Sequence, residues 1–222
     1  MMKSILIPFL LLVGYSTLAQ NHFIGVKGGV SWTNANSAIF SFANPYYQYS
    51  RMGFTIGVSY ENRLKQHLIV GADLMYQQRG AQDKYYISEE LRDPFGSIFF
   101  TQLVQKDLKF YYDYFAVPLK CGYIIGNTIS GFANIGLVPS FLLKASTNAP
   151  EEVDIIDITD LTPKFDLAVI FEIGGNCNLS ERLLATVSFA FQQSFTTHSN
   201  YSNIKHDGMI VTGGIKYALK KD

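Results

Sequence analysis

Apolar and polar residues alternate with a period of two along eight stretches of this chain. In the clearest stretch, 51–61, the apolar residues Met52, Phe54, Ile56, Val58 and Tyr60 alternate with small or polar ones. Successive side chains of a strand point to opposite faces, so each stretch predicts a strand with one apolar and one polar face. The other predicted strands are 22–33, 67–79, 108–124, 129–145, 164–177, 182–194 and 208–219.

The connections between these strands alternate between short and long. Short ones are expected at 62–66, 125–128 and 178–181, and long ones at 34–50, 80–107, 146–163 and 195–207. This asymmetry is typical of barrels in the bacterial outer membrane. The pattern therefore predicts an all-β fold: an eight-stranded antiparallel up-and-down transmembrane β-barrel, monomeric and in contact with outer-membrane lipid, with short periplasmic turns and long extracellular loops.

Periodicity alone does not say which face of each strand is inside. A soluble lipocalin-like barrel also has eight antiparallel strands, but its apolar residues point inward. Carboxylates such as Asp166 and Glu172 would be costly on a lipid-facing wall. Six glycines also fall in the polar sets, as a narrow, crowded lumen would require: Gly25, Gly29, Gly53, Gly57, Gly71 and Gly214. These features favour the membrane barrel, with the soluble barrel as the alternative.

The polar faces carry a set of charges that the membrane barrel places in its lumen. The predicted lumen charge network consists of Lys27, Asp73, Lys120, Asp166, Glu172 and Lys216, with Arg182 as a further candidate. Lys144 and Lys164 are assigned to the same inward face. An eight-stranded interior is just wide enough for side chains, and an unpaired buried charge costs several kcal/mol. We therefore expect paired charges that plug the lumen, the alternative being a path for protons or a solute.

The first residues predict export. Lys3 precedes an apolar run from Ile5 to Val13, and small residues at Thr17 and Ala19 suit cleavage after Ala19. The run is too short for a transmembrane helix, which needs about 20 residues. We expect a signal peptide at 1–19 and a single barrel domain at 20–222.

Net charge and the two cysteines limit the partners and cross-links that the chain is expected to have. The 18 basic and 18 acidic residues cancel, which gives no reason to expect a nucleic-acid partner. Cys121 and Cys177 fall on the fourth and sixth predicted strands, roughly 10 Å apart at about 4.8 Å per strand, too far for a disulfide. Both are expected to be free and lipid-facing, and no metal or cofactor site is predicted.

The fourth predicted strand carries the segment Tyr114-Phe115-Ala116-Val117-Pro118-Leu119-Lys120. It resembles the Tyr-Leu-Glu-Ile-Pro-Leu signature of the PorT-like outer-membrane β-barrel family of Bacteroidetes. The opening 25–29, Asp166 and the 174–175 glycine pair are similar as well. The chain departs from that family at Ala116, usually acidic there, and at its Lys-Lys-Asp end, where a terminal aromatic is usual. The resemblance implies a barrel along the whole mature chain. The name-giving member of the family is part of a protein secretion apparatus, but these residues do not transfer that role to this chain.

Catalysis is not expected. The segment 197–200 faintly resembles the His-x-Ser-Asn signature of lipid A deacylases, but His198 and Ser199 are adjacent and would point to opposite faces of a strand. A lipid-modifying enzyme is therefore a weak alternative, and no catalytic residue is assigned.

The long loops are the predicted sites of recognition. Loop 80–107 mixes aromatic and charged residues and is either an extended hairpin or a surface that docks a protein partner. The acidic run 151–160 is expected to be a solvated loop, with a weak cation site as the alternative. The expected role is structural or surface recognition, with a part in a secretion or transport complex as the alternative.

Overall fold

A computed structural model describes residues 21–36, 49–64, 67–92, 95, 98–148, 155–196 and 205–219. The predicted signal peptide and the segment 197–200 lie outside these residues. The strands are β1 (Asn21–Asn36), β2 (Tyr49–Leu64), β3 (Leu68–Arg92), β4 (Ile98–Ala116), β5 (Leu119–Gly126), β6 (Ile129–Asn148), β7 (Ile155–Asp157), β8 (Phe165–Asn178), β9 (Leu183–Ser194) and β10 (Lys205–Ala218). A single 3-10 turn spans Thr159–Leu161.

The strands form one antiparallel up-and-down sheet whose pairings close into a ring of eight positions. β10 pairs with β1 along its whole length, which joins the first position to the last. β4 and β5 share one position and are separated only at Val117 and Pro118, where proline lacks the N–H that a continuous ladder needs. Pairing continues through the break, because the Asp73 amide donates to the Pro118 carbonyl at 2.9 Å. The short β7 is an extra strand on β6.

The apolar face of the ring is on the outside. On β2 the five large apolar residues of the alternating stretch are 42% to 59% exposed, whereas Thr55, Ser59 and Glu61 are buried. The same division holds on β1, β3, β5, β8, β9 and β10. The lipocalin-like alternative is therefore wrong for this chain, because it requires the opposite faces.

Glycine on the inner face lets neighbouring strands approach closely. A Cβ built on Gly29 would lie 1.8 Å from the Val211 carbonyl oxygen of β10, so no other residue fits without movement of the backbone.

Three predicted inward charges lie outside the ring. The pairing of β4 with β6 shifts between Asp113 and Tyr114, so the alternation changes phase and both Leu143 and Lys144 are exposed. Lys164 precedes β8 and pairs with the exposed Asp160 at 3.1 Å. Arg182 lies in the β8–β9 connection, exposed, and donates to the Tyr217 hydroxyl at 3.1 Å.

The two ends of the ring differ. Short connections join β2 to β3, β5 to β6 and β8 to β9, and we call this the turn end. The longer connections lie at the opposite loop end. The predicted loop 80–107 is mainly an extension of β3 and β4, which pair from Met75 and Ala116 as far as Arg92 and Ile98.

Cys121 and Cys177 are exposed and free, on β5 and β8 with β6 between them, as predicted. No helix among the described residues is both long and apolar enough to cross a membrane.

Candidate functional site

The lower ionic cluster consists of Lys27, Asp73, Lys120 and Glu172, on four different strands of the ring. Lys27 Nζ lies 2.5 Å from Asp73 Oδ2 and 3.7 Å from Glu172 Oε1. Lys120 Nζ lies 2.8 Å from both carboxylates. Two ammonium and two carboxylate groups thus bridge the interior with no net charge, a requirement for charges removed from water.

Neutral side chains complete the hydrogen bonding of Glu172. Asn134 donates to its Oε2 at 2.9 Å and Ser188 to its Oε1 at 3.0 Å. The Ser188 hydroxyl also lies 2.8 Å from that of Thr212. A buried carboxylate with donors on both oxygens is held in one orientation, so this cluster is a rigid cross-brace between strands.

A second ion pair lies nearer the turn end. Lys216 Nζ donates to Glu61 Oε2 at 2.6 Å and also contacts Asn176 at 3.3 Å. Arg63 Nε donates to the other oxygen of Glu61 at 2.7 Å. This pair connects β10 with β2, two positions apart in the ring.

The upper ion pair, Arg79 and Asp166, lies toward the loop end. Arg79 Nη1 donates to Asp166 Oδ2 at 2.5 Å, and both side chains are at most 1% exposed. Ser194 donates to the same oxygen at 2.8 Å, and Thr196 donates to Oδ1. The Arg79 guanidinium also donates to Ser140 and lies 4.6 Å above the ring centre of Tyr114. This is the most completely buried pair among the described residues.

An apolar band separates the lower ionic cluster from the upper ion pair. It consists of Met75, Ala116, Val138, Ala168, Ile170, Ala190 and Ile210. Along β3 the order is Asp73, Met75, Arg79, and along β8 it is Glu172, Ile170, Asp166. Three cavities in the interior, lined by these groups, measure about 30, 30 and 10 Å³. Each has room for one or two water molecules at most.

Four of the six predicted network residues meet in the lower ionic cluster, while Lys216 and Asp166 pair elsewhere. Their partners, Glu61 and Arg79, were missed. Both continue the inward alternation, Glu61 after Ser59 and Arg79 after Gln77, so extending the period by one residue pair would have found them.

Three histidines near strand ends lie against tyrosines. His22 Nδ1 lies 2.7 Å from the Tyr60 hydroxyl, and His67 stacks on Tyr123 with ring centres 5.3 Å apart. Buried His206 meets Tyr112 edge-on at 4.9 Å.

The acidic run 151–160 is described from residue 155 onward. Hydrogen bonds from Thr159 hold the pKa of the exposed Asp157 carboxyl below its usual value. The Asp160 carboxylate forms a salt bridge with the Lys164 ammonium group. Across the described residues, no group of three or more His, Cys, Asp or Glu is arranged to hold a metal ion.

The long hairpin, residues 83–107, projects from the loop end. β2 pairs with β3 only as far as Gln82, and β4 pairs with β6 only from Phe110. Asn148 closes that end by accepting from the Lys109 amide and donating to the Asp107 carbonyl at 2.9 Å. Beyond it, ten residues of β3 have β4 as their only strand neighbour among the described residues. At about 3.3 Å per residue, the two-stranded ribbon extends about 30 Å, and neither edge pairs with another strand of the described part of the chain.

Solved structures with a similar fold are bacterial outer-membrane proteins. A major outer membrane protein from Thermus thermophilus is 9% identical with a TM-score of 0.51, and the match covers 90% of this chain and 100% of that one. Neisserial surface protein A is 10% identical at a TM-score of 0.46, over 88% and 97%. The outer membrane protease OmpT of Escherichia coli is 9% identical at 0.46, over 92% and 99%. At these identities the likeness concerns the fold alone. No curated protein matches the sequence.

The sequence profile of the outer membrane protein beta-barrel domain matches residues 18–206, which include β1 to β9 and the first two residues of β10. This match supports an outer-membrane location. The chain belongs to the outer membrane protein beta-barrel domain family.

Proposed function

We propose that this protein crosses the outer membrane as a monomeric eight-stranded barrel without enzymatic activity, with a plugged lumen and a recognition surface outside the cell. The observation that carries the proposal is the reversal of faces: large apolar side chains are exposed around the wall, while the charged ones are buried inside. Water would penalise such a wall, whereas acyl chains match it. Closed strand pairing also leaves no unpaired edge along the wall.

The interior contacts support the plugged lumen of this proposal. Two ionic layers and the apolar band fill the cross-section, and the cavities between them are of water size. An ion would have to displace paired charges and pass the apolar band. This filled interior fits a structural role for the barrel better than transport through it.

The free thiol of Cys121 tests the orientation of the wall. In vesicles containing the Cys177→Ala variant, Cys121 is expected to resist a charged maleimide and to react with a lipid-soluble one, because it lies on the apolar wall five residues from the end of β5. The matched control is Thr101→Cys in a cysteine-free background. Thr101 is an exposed position of the long hairpin, so the introduced thiol should react rapidly with both reagents. Equal labelling of both sites by the charged reagent would contradict the proposal.

The long hairpin supports a second part of the proposal, the docking of a protein partner. Its open edges present backbone N–H and C=O groups that an added strand can pair with. An isolated two-stranded ribbon is only marginally stable in water, so a partner strand would stabilise it. Membership of a secretion or transport complex, the alternative function, would use the same surface.

A shortened protein tests this docking role. In it, residues 84–107 are replaced by a two-residue turn, which keeps the described contacts of Arg79 and Tyr112 intact. A stoichiometric partner that copurifies with the full chain from detergent extract is expected to be lost from the shortened barrel. Retention of that partner, or its absence from the full chain, would remove the docking role and leave a structural barrel.

A further inference from the structure

A wide, shallow groove crosses the outer wall. Its volume is about 890 Å³, within the range of small-molecule sites, and its lining is almost entirely apolar. It crosses β5, β6, β8, β9 and β10, and the side chains along it include Tyr123, Ile125, Ala133, Ile173, Val187 and Phe189. The groove is part of the apolar face that the proposed function turns toward lipid.

Glycines on the outer face form the floor of the groove. Gly131 of β6 pairs with Gly175 of β8, which pairs with Val187 of β9. A Cβ built on Gly131 would come no closer than 3.9 Å to another group, and one on Gly175 no closer than 3.6 Å. Unlike Gly29 on the inner face, these positions have room for a side chain, so packing within the ring does not explain why they hold glycine.

The groove rises from the turn end toward the middle of the wall. Gly131 lies two residues from the start of β6, and Val187 lies four residues from the start of β9. Across the strands the groove covers four spacings of about 4.8 Å, or about 19 Å. Because the strands tilt by about 40°, its two ends differ in height along the ring axis by about 12 Å. One leaflet of a bilayer core is about 15 Å thick. The groove therefore stays within the leaflet at the turn end.

The lower end of the groove carries a polar group. Tyr60 and Tyr217 also lie near the turn end, but their hydroxyls are engaged by His22 and Arg182. The Tyr123 hydroxyl has no hydrogen-bond partner among the described residues, because His67 stacks on its ring and donates through Nδ1 to the Ile124 carbonyl. An apolar channel that ends at an available hydroxyl has the two parts that an amphiphile needs.

We propose that this groove binds one phospholipid of the periplasmic leaflet, with an acyl chain over Gly131 and Gly175 and the phosphate accepting a hydrogen bond from the Tyr123 hydroxyl. The inference rests on the membrane orientation proposed above. The outer glycines then have a role, because a side chain there would occupy the space of the acyl chain.

Native mass spectrometry of the full chain with added dipalmitoyl phosphatidylethanolamine tests this site. The wild type is expected to retain one lipid, and Gly131→Leu/Gly175→Leu to bind at least about tenfold more weakly, the equivalent of two lost methylene contacts. Gly28→Leu is the matched control, since Gly28 faces outward on β1 beyond the groove and its Cβ would lie 3.4 Å from the nearest atom. Tyr123→Phe should weaken retention while the glycines remain.

Equal lipid retention by the wild type and the filled variant would overturn the site. A wild-type dimer that the filled variant abolishes would also overturn it, because the occupant would then be a second copy. Gly131→Ala/Gly175→Ala provides a milder filling should the leucine variant not fold. Failure of the membrane orientation is distinguishable, because Cys121 would then react with the charged maleimide.

Discussion

Replacing Asp166 by leucine is expected to destabilise the folded protein by about 3–5 kcal/mol, the usual cost of removing one partner from a buried ion pair. Arg79 would remain at most 1% exposed with no carboxylate within reach, and Ser194 and Thr196 would lose their acceptor. The free energy of unfolding is measured by urea titration in vesicles, with the fluorescence of Trp32, the single tryptophan, as the probe.

Two further variants separate charge from packing. Arg79→Met/Asp166→Leu removes both charges and should recover most of the lost stability, because no unpaired ion remains. Asp160→Asn removes the carboxylate of an exposed pair and is expected to change little, since water screens that interaction. An Asp166→Leu variant as stable as Asp160→Asn would show that the upper ion pair does not hold the barrel together.

The second large effect is expected at Lys120. Its ammonium lies 2.8 Å from both Asp73 and Glu172, so Lys120→Met leaves two buried carboxylates with Lys27 alone. We expect a loss of about 3 kcal/mol or more in the same urea titration. Lys120→Met/Glu172→Leu removes one charge of each sign and should restore part of it. Lys164→Met, which removes an exposed lysine, is the control.

The same cluster determines whether the lumen conducts. Planar-bilayer recordings of the wild type are expected to show no steady current, because the paired charges and the apolar band leave only water-sized cavities. A steady, large conductance in the wild type would contradict the plugged lumen. In the urea titration, a Lys120→Met variant as stable as the wild type would show that the lower ionic cluster is not a brace.

Much of the wall was predictable because alternation is a local property. The stretch 51–61 predicts β2 and its two faces from neighbouring residues alone, and the short connections follow from where that alternation stops. Interior charges were predictable for the same reason: Lys27, Asp73, Lys120 and Glu172 share the parity of the polar sets, and closure of the ring brings such positions together.

Other features depend on contacts between distant strands. The pairing of β4 with β6 introduces the shift that exposes Lys144, and no residue of β6 alone reveals it. Alternation alone assigns Glu61 and Arg79 to the inner face, but their pairing with Lys216 and Asp166 is known only once β2 faces β10 and β3 faces β8 across the interior. The groove likewise exists because the pairing of β6 with β8 places their outer glycines side by side.

By itself the sequence determined the strands, their two faces and the alternation of short and long connections, because backbone geometry couples each side chain to its immediate neighbours. Only the tertiary structure decided that the apolar face lies outside, which charge meets which, and that loop 80–107 is a projecting hairpin. The physical reason is that the alternation of apolar and polar residues is the same in a barrel whose apolar face points outward and in one whose apolar face points inward. The choice between them depends on burial, which is a property of the closed ring and its surroundings.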